Sequence, residues 1–235
     1  VAVIAIIGFC IAIICIIRKR STSAEIVRLG SAKQNNNNNK MPTRSLRYYD
    51  LPIKIDEWEI ERKFVSIDFT NLLGEGAFGS VHLARVLAKH IPDGMDRSII
   101  EKTAMKSSND DVAVKTLHEH ADELTEREFR REIDLMKRIG YHDRLVNMLA
   151  CVTVAAPVLL ISEYCVNGDL LRFMRQRRKY MIENSQALDE TKIMTLKKQI
   201  MFSMQIASGL EYLSYRGFIH RDIAARNIMV DSEET

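Results

Sequence analysis

The sequence predicts an α+β fold in two lobes, a β-rich lobe carrying one helix followed by a helical lobe, with a single transmembrane helix in front. Three observations carry this. Residues 1–17 hold no charged or strongly polar group and are followed at once by Arg18-Lys19-Arg20. After Trp58 the chain breaks into short stretches of apolar/polar alternation around a glycine cluster, with one amphipathic helical stretch among them. Beyond Asn167-Gly168 the period becomes helical.

The apolar run comes first. As a helix it spans roughly 25 Å, a little short of a hydrocarbon core of about 30 Å. The chain does not begin with Met, so the segment is expected to be cut at its N-terminal end. A secretory signal peptide carries its positive charges before the apolar run, whereas here they come after it. By the positive-inside rule the three cations put the C-terminal side in the cytoplasm, with the N-terminus outside and the plasma membrane as the expected location.

The charge pattern supports that orientation. Residues 18–47 contain eight basic side chains (Arg18, Lys19, Arg20, Arg28, Lys33, Lys40, Arg44, Arg47) and one acid, Glu25. That stretch therefore carries +7 of a chain whose net charge is +3, and residues 48–235 carry the balance of −4. Basicity confined to the juxtamembrane stretch suits an anionic inner leaflet, and no nucleic-acid-binding motif accompanies it. Cys10, Cys15, Cys151 and Cys165 form no CxxC pair and have no metal-ligand spacing; a cytoplasmic lobe keeps its thiols reduced.

Residues 18–56 read as a linker. They include the run of asparagines at 35–39, with Pro42 and Pro52 beyond it. Tyr48 and Tyr49 stand together there, placed either for phosphorylation or for packing on the next domain.

The first lobe is expected over residues 57–162. Residues 64–69 alternate at period two, the glycines from Gly74 to Gly79 interrupt, and residues 81–86 resume the alternation, which describes a hairpin across a glycine loop. A looser polar segment at 89–111 leads to a short strand at 112–117. Residues 122–139 are helical, with Gly140 as the stop. Residues 145–154 and 158–164 are β-like. The second lobe, 163–235, holds helices at 170–180 and 196–215, the latter with Ile200, Met204, Ala207 and Leu210 on one face.

Chemistry concentrates at three places. Gly74-Glu75-Gly76-Ala77-Phe78-Gly79 contains GxGxxG. A dinucleotide fold needs a helix directly after that motif, but Val81, Leu83 and Arg85 continue a strand. No GK[ST] follows either, which argues against a P-loop. Two strands bent at glycines can instead fold over a nucleotide and bring backbone amides to its phosphates.

Lys115 ends the apolar strand Val112-Ala113-Val114, so its ammonium needs an acid or a phosphate to stay charged. The next helix offers one. At about 100° per residue, Glu132 falls in the middle of the apolar face made by Phe129, Ile133, Leu135, Met136 and Ile139. Glu128, one turn earlier, is the alternative partner. The third place is His220-Arg221-Asp222-Ile223-Ala224-Ala225-Arg226-Asn227. Asp222 there can accept a proton, Asn227 can ligate Mg²⁺ and Arg226 can neutralise phosphate charge, the roles that phosphoryl transfer requires.

In this order and spacing, the motifs resemble those of the protein kinase family. The similarity is greatest to receptor tyrosine kinases of the fibroblast and platelet-derived growth factor receptor kind, and it runs from about Trp58 to the end. The resemblance implies a two-lobed protein-kinase-like fold that uses ATP and Mg²⁺. In it Leu73, Gly74, Glu75, Gly76, Ala77, Phe78 and Gly79 cover the nucleotide, and Val81 and Ala113 contact adenine. Lys115 holds the α- and β-phosphates and pairs with Glu132. Glu163, Tyr164 and Cys165 form the hinge behind Ser162. Asp222 is the catalytic base, Arg226 the nearby cation and Asn227 a metal ligand.

Serine/threonine kinases usually place Lys two residues after the catalytic Asp. Ala224 stands there, and the cation returns at Arg226, an order similar to that of receptor tyrosine kinases. Tyrosine-bearing protein substrates and a ligand-induced homodimer follow as expectations.

The DFG metal site, activation loop and remaining helices of such a lobe do not occur before Thr235. A fragment is therefore expected, with Met204, Ala207 and Leu210 lacking their usual partners and a poorly stable C-terminal third. The competing reading is a non-catalytic truncated receptor or pseudokinase acting as a membrane-bound interaction protein.

Overall fold

The computed structural model describes residues 56–76, 79–92, 110–186 and 188–234. The expected membrane run at 1–17, the linker through residue 55 with Tyr48 and Tyr49, and Ala77 and Phe78 at the glycine loop lie outside the described residues. Among the described residues, no helix is long and apolar enough to cross a membrane.

Five strands, β1 (Ser66–Glu75), β2 (Gly79–Arg85), β3 (Asp111–Leu117), β4 (Met148–Val152) and β5 (Leu159–Glu163), form one antiparallel sheet in the order β1-β2-β3-β5-β4. The alternation in the sequence appears directly as burial. Val112, Val114 and Thr116 of β3 are buried, while Ala113 and Lys115 between them face the other side. β4 does not alternate, because both its faces are covered. Leu149, Ala150 and Val152 join one apolar cluster, and Met148 and Cys151 join a second. β1 is longer than the alternation at 64–69 predicts. It runs on to Glu75 through two register irregularities, between Asp68 and Leu72 and between Leu72 and Gly74. Such irregularities let an edge strand keep pairing while its side chains lose strict alternation.

Helix α1 (Glu123–Ile139) starts where Asp122 accepts a hydrogen bond from the Thr125 N–H at 2.8 Å. Glu123 and Glu126 in its first turn, and Lys137 and Arg138 in its last, match the helix dipole. It stops at Gly140, whose φ of 73° is a left-handed value that costs glycine nothing. Phe129 and Ile133 pack against Met148, Cys151, Val158 and Leu160, each burial being worth about 1.5–3 kcal/mol.

Helices α2 (Leu170–Glu183) and α3 (Leu196–Tyr215) begin at the caps Asp169 and Thr195. α2 continues past the predicted end at residue 180, and the chain leaves it where Asn184 N–H donates to Tyr180 C=O. Leu170, Phe173, Phe202, Ala225 and Val230 make a third, smaller cluster. α3 buries Phe202, Gly209 and Leu213, whereas Ile200 and Met204 are 52% and 67% exposed.

α3 also reaches the first lobe. Tyr212 Oη donates to the Ile139 carbonyl at 2.7 Å, and Arg216 Nη2 donates to the Arg138 carbonyl at 2.6 Å. Both satisfy carbonyls that the end of α1 leaves without helical partners.

Candidate active site

Cross-strand register decides which side chains share a face. Val81 lies opposite Lys115 and Leu83 opposite Ala113; Lys115 in turn faces Leu160, and Ala113 faces Ser162. Directly paired residues point to the same side of a sheet. Val81, Leu83, Ala113, Lys115, Leu160 and Ser162 therefore line one surface, apolar except for the Lys115 ammonium and the Ser162 hydroxyl.

That cation is held. Lys115 Nζ lies 2.7 and 2.6 Å from the two Glu132 carboxylate oxygens, and 5.4 Å from the centre of the Phe129 ring. The two side chains are only 24% and 17% exposed. At that burial a charge left alone is costly, so each holds the other in place. Glu128, the alternative partner, is bound to Arg131 instead.

Gly76 N–H donates to Gly79 C=O at 2.9 Å, closing the glycine turn between β1 and β2. The His118 ring lies 3.1 Å from the Gly76 carbonyl and ties the turn to the end of β3. Gly79 must be glycine for packing: an added Cβ would lie 2.0 Å from the Thr116 carbonyl oxygen. A Cβ added at Gly74 would meet nothing within 4 Å. Leu73 and Glu75 lie on the same strand β1.

At the far edge, Glu163 N–H donates to Asn147 C=O, and its carboxylate accepts from both the N–H and the side-chain amide of Asn147. The carbonyl of Cys165 accepts from Gly168 N–H. Asn147 is the residue that sequence reasoning missed. Its side chain also accepts from His142 N–H and donates to the His142 and Leu145 carbonyls, so a buried amide organises the approach to β4. The available signal was that it is the one amide in the apolar stretch 145–154.

The segment that follows the loop 220–227 is stitched to the turn before α2 and to its first residue. Leu170 N–H donates to Ile228 C=O at 2.7 Å, Val230 N–H to Gly168 C=O at 2.8 Å, and Asn167 N–H to Val230 C=O at 3.1 Å. Ala225 is buried beneath it. On that support Asp222 accepts from Arg226 Nη2 at 3.0 and 3.2 Å, and from Asn227 Nδ2 at 3.2 Å. The Asn227 amide nitrogen is thereby committed to Asp222, which leaves its oxygen as the atom suited to a hard cation. Arg221 has a φ of 78°, a left-handed conformation that costs a non-glycine residue free energy and concentrates at functional loops. Burial pushes the His220 imidazole down to about 3, only partly opposed by the Asp222 charge, so this ring is neutral at neutral pH.

The residues fit a nucleoside triphosphate with a divalent cation. A small apolar surface could take a base, the Lys115 ammonium could meet phosphate, the Asp222 carboxylate could take a proton, and the hard oxygen of the Asn227 amide could hold a metal. Sequence comparison gives the same direction. The family profile described as protein tyrosine and serine/threonine kinase matches residues 67–235. The fibroblast growth factor receptor of Hydra vulgaris is 37% identical over 173 residues, covering 74% of this chain and 19% of that protein. Fibroblast growth factor receptor homolog 2 of Drosophila melanogaster is 33% identical over 198 residues, covering 80% and 17%. Tyrosine kinase receptor Cad96Ca of the same fly is 33% identical over 180 residues, covering 77% and 21%. The chain thus spans about a fifth of the length of these curated relatives. With a β-sheet lobe, a paired lysine and glutamate beneath it and the Asp222 loop beyond, this chain belongs to the protein tyrosine and serine/threonine kinase family.

Proposed function

We propose that the chain is the cytoplasmic part and membrane segment of a single-pass receptor kinase that moves the γ-phosphate of ATP to protein tyrosine hydroxyls. Residues 1–17 are its membrane helix, 18–56 its basic juxtamembrane linker, 57–162 its first lobe and 163–235 the start of its second. The observation that carries this reading is the half-buried Lys115–Glu132 pair at 2.6 Å, a fixed cation on the same surface as Val81 and Ala113.

Mg-ATP, when bound, supplies the phosphoryl group together with a divalent cation that spreads its negative charge. The protein then positions and stabilises. Lys115, aimed by Glu132, would meet the α- and β-phosphates. The glycine turn from Gly74 to Gly79 would cover the phosphates, Val81 and Ala113 would cover the adenine, and the backbone at Glu163 and Cys165 would read its edge. Asn227 would hold the metal through its amide oxygen, its nitrogen being taken by Asp222. Asp222 takes the proton from the attacking tyrosine hydroxyl, and Arg226 compensates charge on that carboxylate and on the transferring group. Tyrosine is favoured as acceptor because Ala224 leaves room where a lysine would stand and Arg226 brings the cation back from another backbone position. The word receptor in the relatives' names supports membrane attachment, and ligand-driven pairing of two copies belongs to the same proposal.

The test is transfer from Mg-ATP to tyrosine-containing and serine-containing polymers by the full-length gene product. Asp222→Asn is expected to lower kcat by about 10²–10⁴-fold, with circular dichroism unchanged. Undiminished kcat removes Asp222 from its role, and preference for the serine polymer removes the tyrosine assignment.

A further inference from the structure

The two arms of the glycine turn are held unequally. On the β2 side, Gly79 pairs with Leu117 and Ser80 with Thr116, and the pairing continues along the strand to Arg85. Gly79 sits so close to β3 that an added Cβ would lie 2.0 Å from the Thr116 carbonyl oxygen. Ser80 Oγ lies 2.8 Å from His82 Nε2 and 3.4 Å from Thr116 Oγ1. The β1 side is the edge of the sheet. Gly74 and Glu75 pair with Val81 and Ser80 of β2, and the register just before them is irregular, between Leu72 and Gly74. An edge strand that ends on Gly74-Glu75-Gly76 has little of its own to fix its direction.

One side chain crosses to that arm from β3. His118 follows the last residue of β3, three positions after Lys115. Its Nε2 lies 3.1 Å from the Gly76 carbonyl oxygen, forty-two residues back in the chain. The carbonyl can only accept, so the ring must donate, which puts a proton on Nε2. Gly76 N–H already donates to Gly79 C=O at 2.9 Å within the turn, and the ring takes the other polar group of the same residue. β3 thus sets both ends of a distance. Lys115, held by Glu132 at 2.6 Å, is one end, and the Gly76 carbonyl, held by His118, is the other. A glycine turn left to itself samples many backbone states, and a nucleotide that must first order it binds more weakly for that reason. A turn tied down beforehand avoids the loss.

We infer that His118 is a positioning residue for the triphosphate, holding the β1 arm of the glycine turn at a set distance from Lys115 through Gly76 before nucleotide arrives. The inference rests on the kinase reading above. The ring is exposed, so water competes for the same carbonyl and the effect is modest. It acts on nucleotide binding rather than on the transferring bond, and so belongs in KM.

The experiment compares His118→Ala and His118→Gln in the full-length gene product, by transfer kinetics and by hydrogen exchange at the Gly76 amide without nucleotide. Gln carries an amide N–H at nearly the reach of the His Nε2 and has no ring to take up a proton. His118→Ala is expected to raise the KM for Mg-ATP about threefold and to speed Gly76 exchange, with kcat little changed. His118→Gln is expected to return both close to the values of the unmutated protein. A His118→Ala variant with KM or Gly76 exchange unchanged, or with the loss in kcat instead, overturns the inference. So does a His118→Gln variant that behaves as His118→Ala, since the hydrogen bond is then not the cause. An unmutated protein without transfer activity overturns the kinase reading alone; the tie to Gly76 then stands if exchange rises in His118→Ala and returns in His118→Gln, and falls if exchange does not move.

Discussion

The sheet lobe and the helical region after Glu163 each hold a pair of opposite charges, and the two pairs are built differently. Lys115 and Glu132 come from a strand and a helix, stand 2.6 Å apart and are largely shielded from water. Asp222 and Arg226 are four residues apart in one loop at 3.0 Å, with Arg226 61% exposed. The first pair exists only because α1 packs on the sheet, Phe129 and Ile133 against Leu160 of β5, the strand beside β3. The second needs only a local turn, whose following segment is docked at the start of α2 by backbone hydrogen bonds. A shielded pair is a structural commitment, since losing either partner strands a charge. An exposed pair can re-form with water or with an incoming phosphate at small cost.

The contrast extends to the cores. Leu149, Ala150, Leu159 and Ile161 are almost completely buried between the faces of the sheet lobe. The α3 surface bearing Leu196, Ile200 and Met204 is open. Trp58 is the only tryptophan in the chain and packs on both clusters of the sheet lobe, so its fluorescence reports that lobe alone.

The comparison can be broken by mutation. Leu149→Ala should have the largest effect on stability, about 2–5 kcal/mol from lost burial and the cavity left behind, read as a lower urea midpoint of Trp58 fluorescence; an unchanged midpoint would mean that the sheet lobe is not the tightly packed half. Lys115→Met should cost about 1–3 kcal/mol by stranding the Glu132 carboxylate, whereas Arg226→Ala should cost less than about 0.5 kcal/mol. Equal losses for those two would erase the distinction between the shielded and the exposed pair. Met204→Gln on the open face of α3 should shift stability by no more than about 0.5 kcal/mol, and a large loss would show that this face is covered in solution.

Much of this was legible in the sequence. α3 occupies the predicted span 196–215 because a cap and a 3.6-residue period are local signals. Glu132 stood out as the acid within an apolar helical face, and it meets Lys115 seventeen residues away. Other features left no local trace. The length of β1 depends on two register irregularities against β2. The grip of Asn147 on Glu163 spans sixteen residues, and that of Glu59 on Thr153 spans ninety-four; partners so far apart impose no spacing rule on either residue.

The chain's own pattern determined the element types, the order of the glycine turn, Lys115, Glu132 and Asp222, and the membership of a kinase family, because periodicity, capping and motif spacing act over a few residues. Only the tertiary structure decided that Glu132 rather than Glu128 takes Lys115, that Asn147 braces Glu163, and that Asp56 and Glu59 join α1 to β4. Those choices turn on which faces are shielded from water when sheet and helix pack, and a carboxylate finds its partner only once that shielding exists.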